Sequence, residues 1–207
     1  RRLTGYYLTP ATIRDAFSAI HEIQVSDRGR LGSVEISRND QNVEALGYVV
    51  ENKKLGQVLS TRLNKSEKIE FLCPALVSSV KAAEKGMLLG LHHGDIQTSI
   101  NASLVVLADG GKSPVCEQLA IARSLERYDQ YALIANIVFE KAHQHIAFER
   151  FTDTGPLAVL PLKSIDGKNR GSLVWTLSAE QAAQYRELGE ELLPLLQERF
   201  GYKLGKI

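Results

Sequence analysis

The run Ser103-Leu-Val-Val-Leu-Ala108, closed by Asp109-Gly-Gly-Lys-Ser113, constrains the fold more than any other stretch of this chain. An unbroken apolar segment of this kind reads as a strand buried on both faces, which needs a sheet with cover on each side. The glycines after it allow a tight turn, and helical character resumes over Ser113–Ile121, so the local order is strand, turn, helix. That order holds ligands at a strand's carboxyl end, with Asp109 and Gly110 placed to meet a ribose, a ring or a phosphate. The same residues also suit a plain connection in which Asp109 only caps the next helix, because Asp-Gly is a common turn pair. The run falls far short of the roughly 20 apolar residues that a membrane-spanning helix needs.

On either side the apolar period is mostly that of strands. Residues 19–25 and 31–37 alternate about the turn Ser26-Asp-Arg-Gly29 and predict a hairpin. Leu55, Val58, Leu59 and Leu63 follow helical spacing, which predicts a helix over 47–64 with Asn52 as a cap. Short runs at 69–73, 76–83, 87–92 and 96–100, separated by Gly-centred turns, predict an antiparallel meander that leads into the buried strand. The last third predicts strands at 128–140, 146–151, 157–162 and 172–177. The capping box Ser178-Ala-Glu-Gln181 then opens a helix to about 188, and Gly189 and Pro194 predict a break between two short helices. The class is α+β, a mixed or antiparallel sheet with a β-meander and one strand-turn-helix unit.

Composition removes several functions. Lys and Arg number 25 against 24 Asp and Glu, so the +1 charge gives no electrostatic case for nucleic acid. Cys73 and Cys116 make no metal-type pair and suit a reducing, cytoplasmic compartment. His92-His93 and His143/His145 have no carboxylate or thiol at ligand spacing, so they read as solvated turns and no metal residue is assigned. No HExxH, CxxC, GxSxG or P-loop occurs, which leaves a hydrolase or NTPase without machinery. Met87 is the only methionine, so the chain reads as a processed product or a piece of a longer protein.

Taken in order, "VSDRGRLGSVEI", "ALGYVVENKKLGQVL", "LVVLADGGKS", "AFERFTDTGPLAVLPL", "GSLVWTL" and "FGYKLGKI" resemble the flavin-dependent aromatic hydroxylases. Within that family they look most like the members that act in ubiquinone biosynthesis, and the resemblance runs along essentially the whole chain. It implies that Asp109-Gly110 is one of three cofactor signatures, lying near the pyrophosphate of FAD. Cys116 stands where many members carry arginine, which weakens any direct charge contact to a phosphate or to NAD(P)H. Lys54 aligns with a side chain that reaches the flavin's ribityl or phosphate region, and a solvated helix lysine is the plain alternative.

The same resemblance implies that Gly155, Pro156, Leu157 and Pro161 face the flavin ring and the substrate, although a core strand explains Leu157 and Val159 equally well. Phe148 and Phe151 have the spacing of opposite strand faces, so only one can line a pocket. Trp175 reads as core. The GxGxxG turn and the downstream Gly-Asp pair of the family do not occur here. The expectation is therefore a central piece: substrate-domain segments at 1–46 and 125–207 around a flavin-domain segment at 47–124. The resemblance further implies a monooxygenase using FAD, NAD(P)H and oxygen on a polyprenylated methoxyphenol, with no protein nucleophile and no catalytic residue assigned. The partners implied are the polyprenyl phenol, a peripheral membrane surface, other ubiquinone-biosynthesis proteins and a second copy pairing at free strand edges. Two alternatives stay open: a flavin-free binding or assembly module, and a hydroxylase of a small soluble aromatic acid.

Overall fold

The computed structural model describes residues 16–110 and 114–207, so Gly111, Lys112 and Ser113 of the expected turn lie outside the described residues. By contacts the chain divides into two compact units. One runs up to Ser60 and resumes at Tyr128–Ile207, and the other is Thr61–Arg127.

The first unit is built on a sheet of six strands in the order β3-β2-β9-β10-β11-β8. These strands are β2 (Glu22–Asp27), β3 (Ser33–Ser37), β8 (Gln130–Phe139), β9 (Ile146–Thr152), β10 (Gly155–Ile165) and β11 (Lys168–Ser178). All neighbours are antiparallel except β2 and β9, which run parallel. β10 and β11 extend past their expected ends because Asp166 and Gly167, at φ 52° and 71°, form a two-residue turn that pairs Ile165 with Lys168. Positive φ at both turn residues matches the twist of the flanking strands, and Asp-Gly is a preferred pair for it.

A second, two-stranded ribbon joins β1 (Phe17–Ile20) to β4 (Gly47–Val50). The helix expected over 47–64 therefore starts later: α1 is Asn52–Asn64, and the residues before it extend as β4. Tyr48, Val49 and Val50 carry the β-branched and aromatic character that favours a strand there.

β10 and β11 alternate buried with half-buried positions, as a sheet covered more fully on one face requires. On the covered face Leu157, Val159, Leu173, Trp175 and Leu177 are at most 1% exposed. They pack with Tyr185 of α3 (Ala179–Glu187) and with Leu196 and Phe200 of α4 (Leu192–Phe200). Burying each large apolar side chain contributes about 1.5–3 kcal/mol. Trp175 is core, as expected, and its indole N–H donates to the Thr154 hydroxyl at 3.2 Å. Ser178 forms the predicted capping box with Gln181. The break between the helices is a single turn of tighter helix at Gly189–Glu191, and Pro194 sits inside the first turn of α4, where its missing N–H costs nothing.

The second unit holds the predicted meander, β5 (Leu76–Ala82), β6 (Met87–His93) and β7 (Ile96–Ala102), antiparallel in that order. The Gln118 side chain of α2 (Pro114–Gln118) accepts from the Val80 N–H and donates to the Ser78 carbonyl, fixing α2 to β5. Two sequence expectations fail in this unit. Residues 69–73 form no strand, and Ile69 and Phe71 are exposed. The run 104–108 forms no strand either, with Leu104 and Val106 78% and 76% exposed. A strand buried on both faces needs neighbours at its edges, and no described strand lies beside this run.

Candidate functional site

Alternation along the six-stranded sheet sorts the expected substrate wall into two groups. Leu157 and Pro161 share the helix-covered face and are fully buried. Pro156, Ala158 and Leu160 point to the opposite face and are half-buried. Leu157 and Pro161 therefore belong to the core, and the apolar surface that β10 offers a ligand is Pro156, Ala158 and Leu160. The sequence reading missed Ala158 and Leu160 because counting from Pro156 alone does not say which parity the helices cover. Gly155 has φ +125°, and a Cβ there would overlap the Thr176 carbonyl oxygen, so the residue is required by the close approach of two strands.

Phe148 and Phe151 divide as expected. Phe148 is buried and meets Phe200 edge-on at 5.8 Å, whereas Phe151 is 49% exposed on the open face. Register then extends this open face across the sheet, through Ile23 and Val25 on β2, Ala147 and Glu149 on β9, and Val174 on β11. It is an apolar floor around Glu149, with Asp27 of β2 at its edge, opposite Phe151 and paired with Arg30 at 3.3 Å. The Glu149 side chain has no hydrogen bond or ion pair among the described residues, and burial pushes its carboxyl above the usual carboxylate range.

One end of the floor is walled. β1 and β4 pack against β10, and Phe17 and Ser18 line a cleft of about 240 Å³ with Leu162, His143 and His145. Glu51, just ahead of α1, accepts from Arg170 of β11 at 2.8 Å and from Asn136 of β8 at 3.3 Å. The Arg170 bond, ahead of the opposing effect of burial, holds the Glu51 carboxyl below the usual range. Lys54 lies in the first turn of α1, half-buried, and its N–H donates to the Glu51 carbonyl at 2.9 Å. The expected cofactor lysine is therefore held beside the walled end of the floor.

Asp109 and Gly110 are exposed in the other unit, after the run 104–108. Gly110 has φ +86° and open space where a side chain would stand. A ligand can reach this backbone without displacing anything, which suits a cofactor's phosphates. Within the first unit the floor and Lys54 fit a flavin in the chemistry they offer, and within the second the open turn by itself suits a phosphate.

Three of the histidines, His21, His143 and His145, form a structural cluster. The His145 N–H donates to His143 Nδ1 at 3.0 Å, so the other ring nitrogen of His143 carries the proton and donates to the Leu162 carbonyl at 2.8 Å. His145 donates from Nδ1 to the Ala19 carbonyl at 3.0 Å and stacks on His21 at 4.5 Å. The sequence reading of His143 and His145 as solvated turn residues is corrected by these bonds.

No family model matches the chain. It is 34% identical over 161 residues to "Ubiquinone hydroxylase UbiL" of Rhodospirillum rubrum, covering 77% of this chain and 36% of that protein. To the "3-demethoxyubiquinol 3-hydroxylase" of Escherichia coli it is 30% identical over 163 residues, covering 78% of this chain and 40% of the relative. The crystal structure of pqsL, a probable FAD-dependent monooxygenase from Pseudomonas aeruginosa, superposes with a TM-score of 0.72 at 21% identity, over 92% of this chain and 52% of that one. The chain thus spans less than half the length of these two relatives.

Proposed function

Since this chain matches the flavin-dependent aromatic hydroxylase family, we propose that it forms the substrate-facing part of an FAD-dependent monooxygenase that hydroxylates a polyprenylated methoxyphenol in ubiquinone biosynthesis. The observation that carries this reading is the open sheet face, an apolar floor at whose walled end Arg170 is already bonded to Glu51. Such a surface suits a neutral ring with an apolar tail. It disfavours a small aromatic acid, whose carboxylate would need a cation.

Bound flavin, reduced by NAD(P)H, would activate oxygen and supply the atom inserted into the ring. The chain's own residues bind, orient and exclude water. Pro156, Ala158 and Leu160 offer the ring a flat apolar surface, and Phe151 extends it toward the sheet edge. The β1–β4 ribbon walls one end, which limits how far the ring can slide along the strands. In this reading Lys54 meets an anionic group of the cofactor; separately, the open Asp109-Gly110 turn of the other unit is suited to phosphate. Leu157 and Pro161 act from beneath, by fixing the strand that carries the floor.

A polyprenyl tail places the protein at a membrane surface from the cytoplasmic side, and no described helix is long and apolar enough to cross one. β8 is a sheet edge with no charged residue from Gln130 to Phe139, which supports pairing with a second copy or with another ubiquinone-biosynthesis protein.

The test is to graft these residues in place of the matching segment of the Rhodospirillum hydroxylase. FAD fluorescence is then titrated, and product is read by mass spectrometry. Saturable flavin binding and a product one oxygen atom heavier are expected. A folded graft that binds no flavin would hand the reading to the flavin-free binding module. One that binds flavin yet leaves the polyprenyl phenol unchanged would overturn the substrate.

A further inference from the structure

We infer that Glu149 selects the substrate class on the open sheet face, its carboxylate accepting the hydroxyl hydrogen of a neutral phenol and turning aromatic carboxylic acids away. The inference rests on the reading of that face as the ring-binding floor and deepens it.

Register fixes the surroundings of Glu149. Directly opposite it are Val25 on β2 and Ala158 on β10, and along its own strand the next residues on the same face are Ala147 and Phe151. All four are apolar. Arg150, the next residue along, points to the helix-covered face, opposite Leu157. Arg170 is on the open face but opposite Leu162, and it is bonded to Glu51. Four residues along β10 from Ala158, that places it about 13 Å away at the usual strand rise. Arg28, at the end of β2, is taken by Asp153 and Glu198. Asp27, opposite Phe151 on β2, is the other carboxylate of this face and is paired with Arg30 at 3.3 Å. The Glu149 side chain therefore stands half-buried with no donor among the described residues, and its immediate neighbours on the face are apolar.

A carboxylate in that position has lost part of its hydration and gained nothing in exchange. A phenol lying on the floor restores the missing donor, since its hydroxyl is a good hydrogen-bond donor and its ring covers the same apolar neighbours. An aromatic acid instead brings a second negative charge into a partly desolvated site with no cation to offset it. The rise that burial causes in the carboxyl's proton affinity agrees with the same missing partner. A site built to bond a hydroxyl rejects the analogue that lacks it far more strongly than an apolar pocket rejects a change of size.

The experiment measures dissociation constants by ligand-observed NMR for this chain and its E149Q and E149L variants. Three ring-matched probes are used: a 2-methoxyphenol with one prenyl unit, its O-methyl ether, and 4-hydroxy-3-methoxybenzoate. The unsubstituted chain should bind the phenol at least about tenfold more tightly than either of the others. E149Q, which keeps an acceptor and loses the charge, should hold the phenol within about threefold and bring the benzoate to within about threefold of it. E149L should weaken the phenol about tenfold while leaving the methyl ether unchanged, a combination that loss of folding cannot produce. Equal preferences in all three proteins, with the phenol bound, overturn the role of Glu149 and leave the hydroxylase reading standing. No binding of the phenol by the unsubstituted chain overturns both.

Discussion

Glu51 and Arg170 are 2.8 Å apart although 119 residues separate them in sequence. Their side chains are 24% and 14% exposed, so the pair joins the start of α1 to β11 in a half-buried setting. It is the ionic link between the ribbon's outgoing chain and the sheet. Exposed pairs contribute about 0–1 kcal/mol, and breaking a buried one costs about 3–5, so R170A should lose about 1–2 kcal/mol at neutral pH. The pH dependence follows from the lowered Glu51 carboxyl. Its stabilisation is complete above the ordinary carboxylate pKa of about 4.3 and is lost as pH falls through the lower folded value. Urea unfolding should therefore show the parent and R170A converging in strong acid. A deficit in R170A that is the same at pH 3 as at pH 7 would refute the ionic account.

Two glycines with left-handed backbones should respond very differently to alanine. Gly155 combines φ +125° with a Cβ position that overlaps the Thr176 carbonyl, so G155A should cost about 2–4 kcal/mol and separate the start of β10 from β11. Gly110, at φ +86° in open space, should cost only about 1 kcal/mol. Thermal unfolding of the two variants side by side checks this. Equal losses would mean that the strand contact at Gly155 is looser than its geometry implies.

Acid should weaken the histidine cluster that ties the β1–β2 junction to the loop before β9. Burial, aided by neighbouring positive charge, pushes both His21 and His143 below the ordinary histidine value, against the one bond that His143 gives Leu162. A neutral-favouring fold of this kind keeps its full stabilisation above about pH 6.5 and loses it as pH falls through the lowered values. Stability should therefore drop between about pH 7 and pH 5. H143Q, whose amide can still donate to the Leu162 carbonyl but does not titrate, should show a shallower drop. An identical slope in H143Q would assign the acid sensitivity elsewhere.

Local chemistry made much of the fold legible. The Ser178–Gln181 capping box, the Gly-centred meander and the opposite faces of Phe148 and Phe151 all follow from neighbouring residues alone. What needed the third dimension was parity and pairing. Leu157 and Leu160 are equally apolar, and only the position of α3 and α4 decides which is core. Leu104–Ala108 is apolar enough for a central strand, but burial depends on neighbours, and no described strand pairs with it. Asp166-Gly167 carried a readable hairpin signal that would have lengthened β10 and β11. Glu149 offered no local signal, because Glu-Arg-Phe in a strand looks like ordinary alternation until the register shows what surrounds it. The Glu51–Arg170 bond was equally invisible at its sequence distance.

The division of β10 into a core side and a ligand side gives a direct test of the site. Leu157 is fully buried among Trp175, Phe148 and the helices, so L157A should leave a cavity and cost about 2–5 kcal/mol. Leu160 is half-buried on the opposite face, so L160A should cost clearly less stability. Ligand affinity should reverse that order. At a temperature where both variants remain folded, L160A should weaken a prenylated methoxyphenol about tenfold through lost apolar contact, and L157A should change it little. The measurement is a pair of unfolding curves with a pair of ligand titrations. Should L157A weaken the ligand more than L160A, the wall would lie on the helix side after all, and the open face would lose its claim to the substrate.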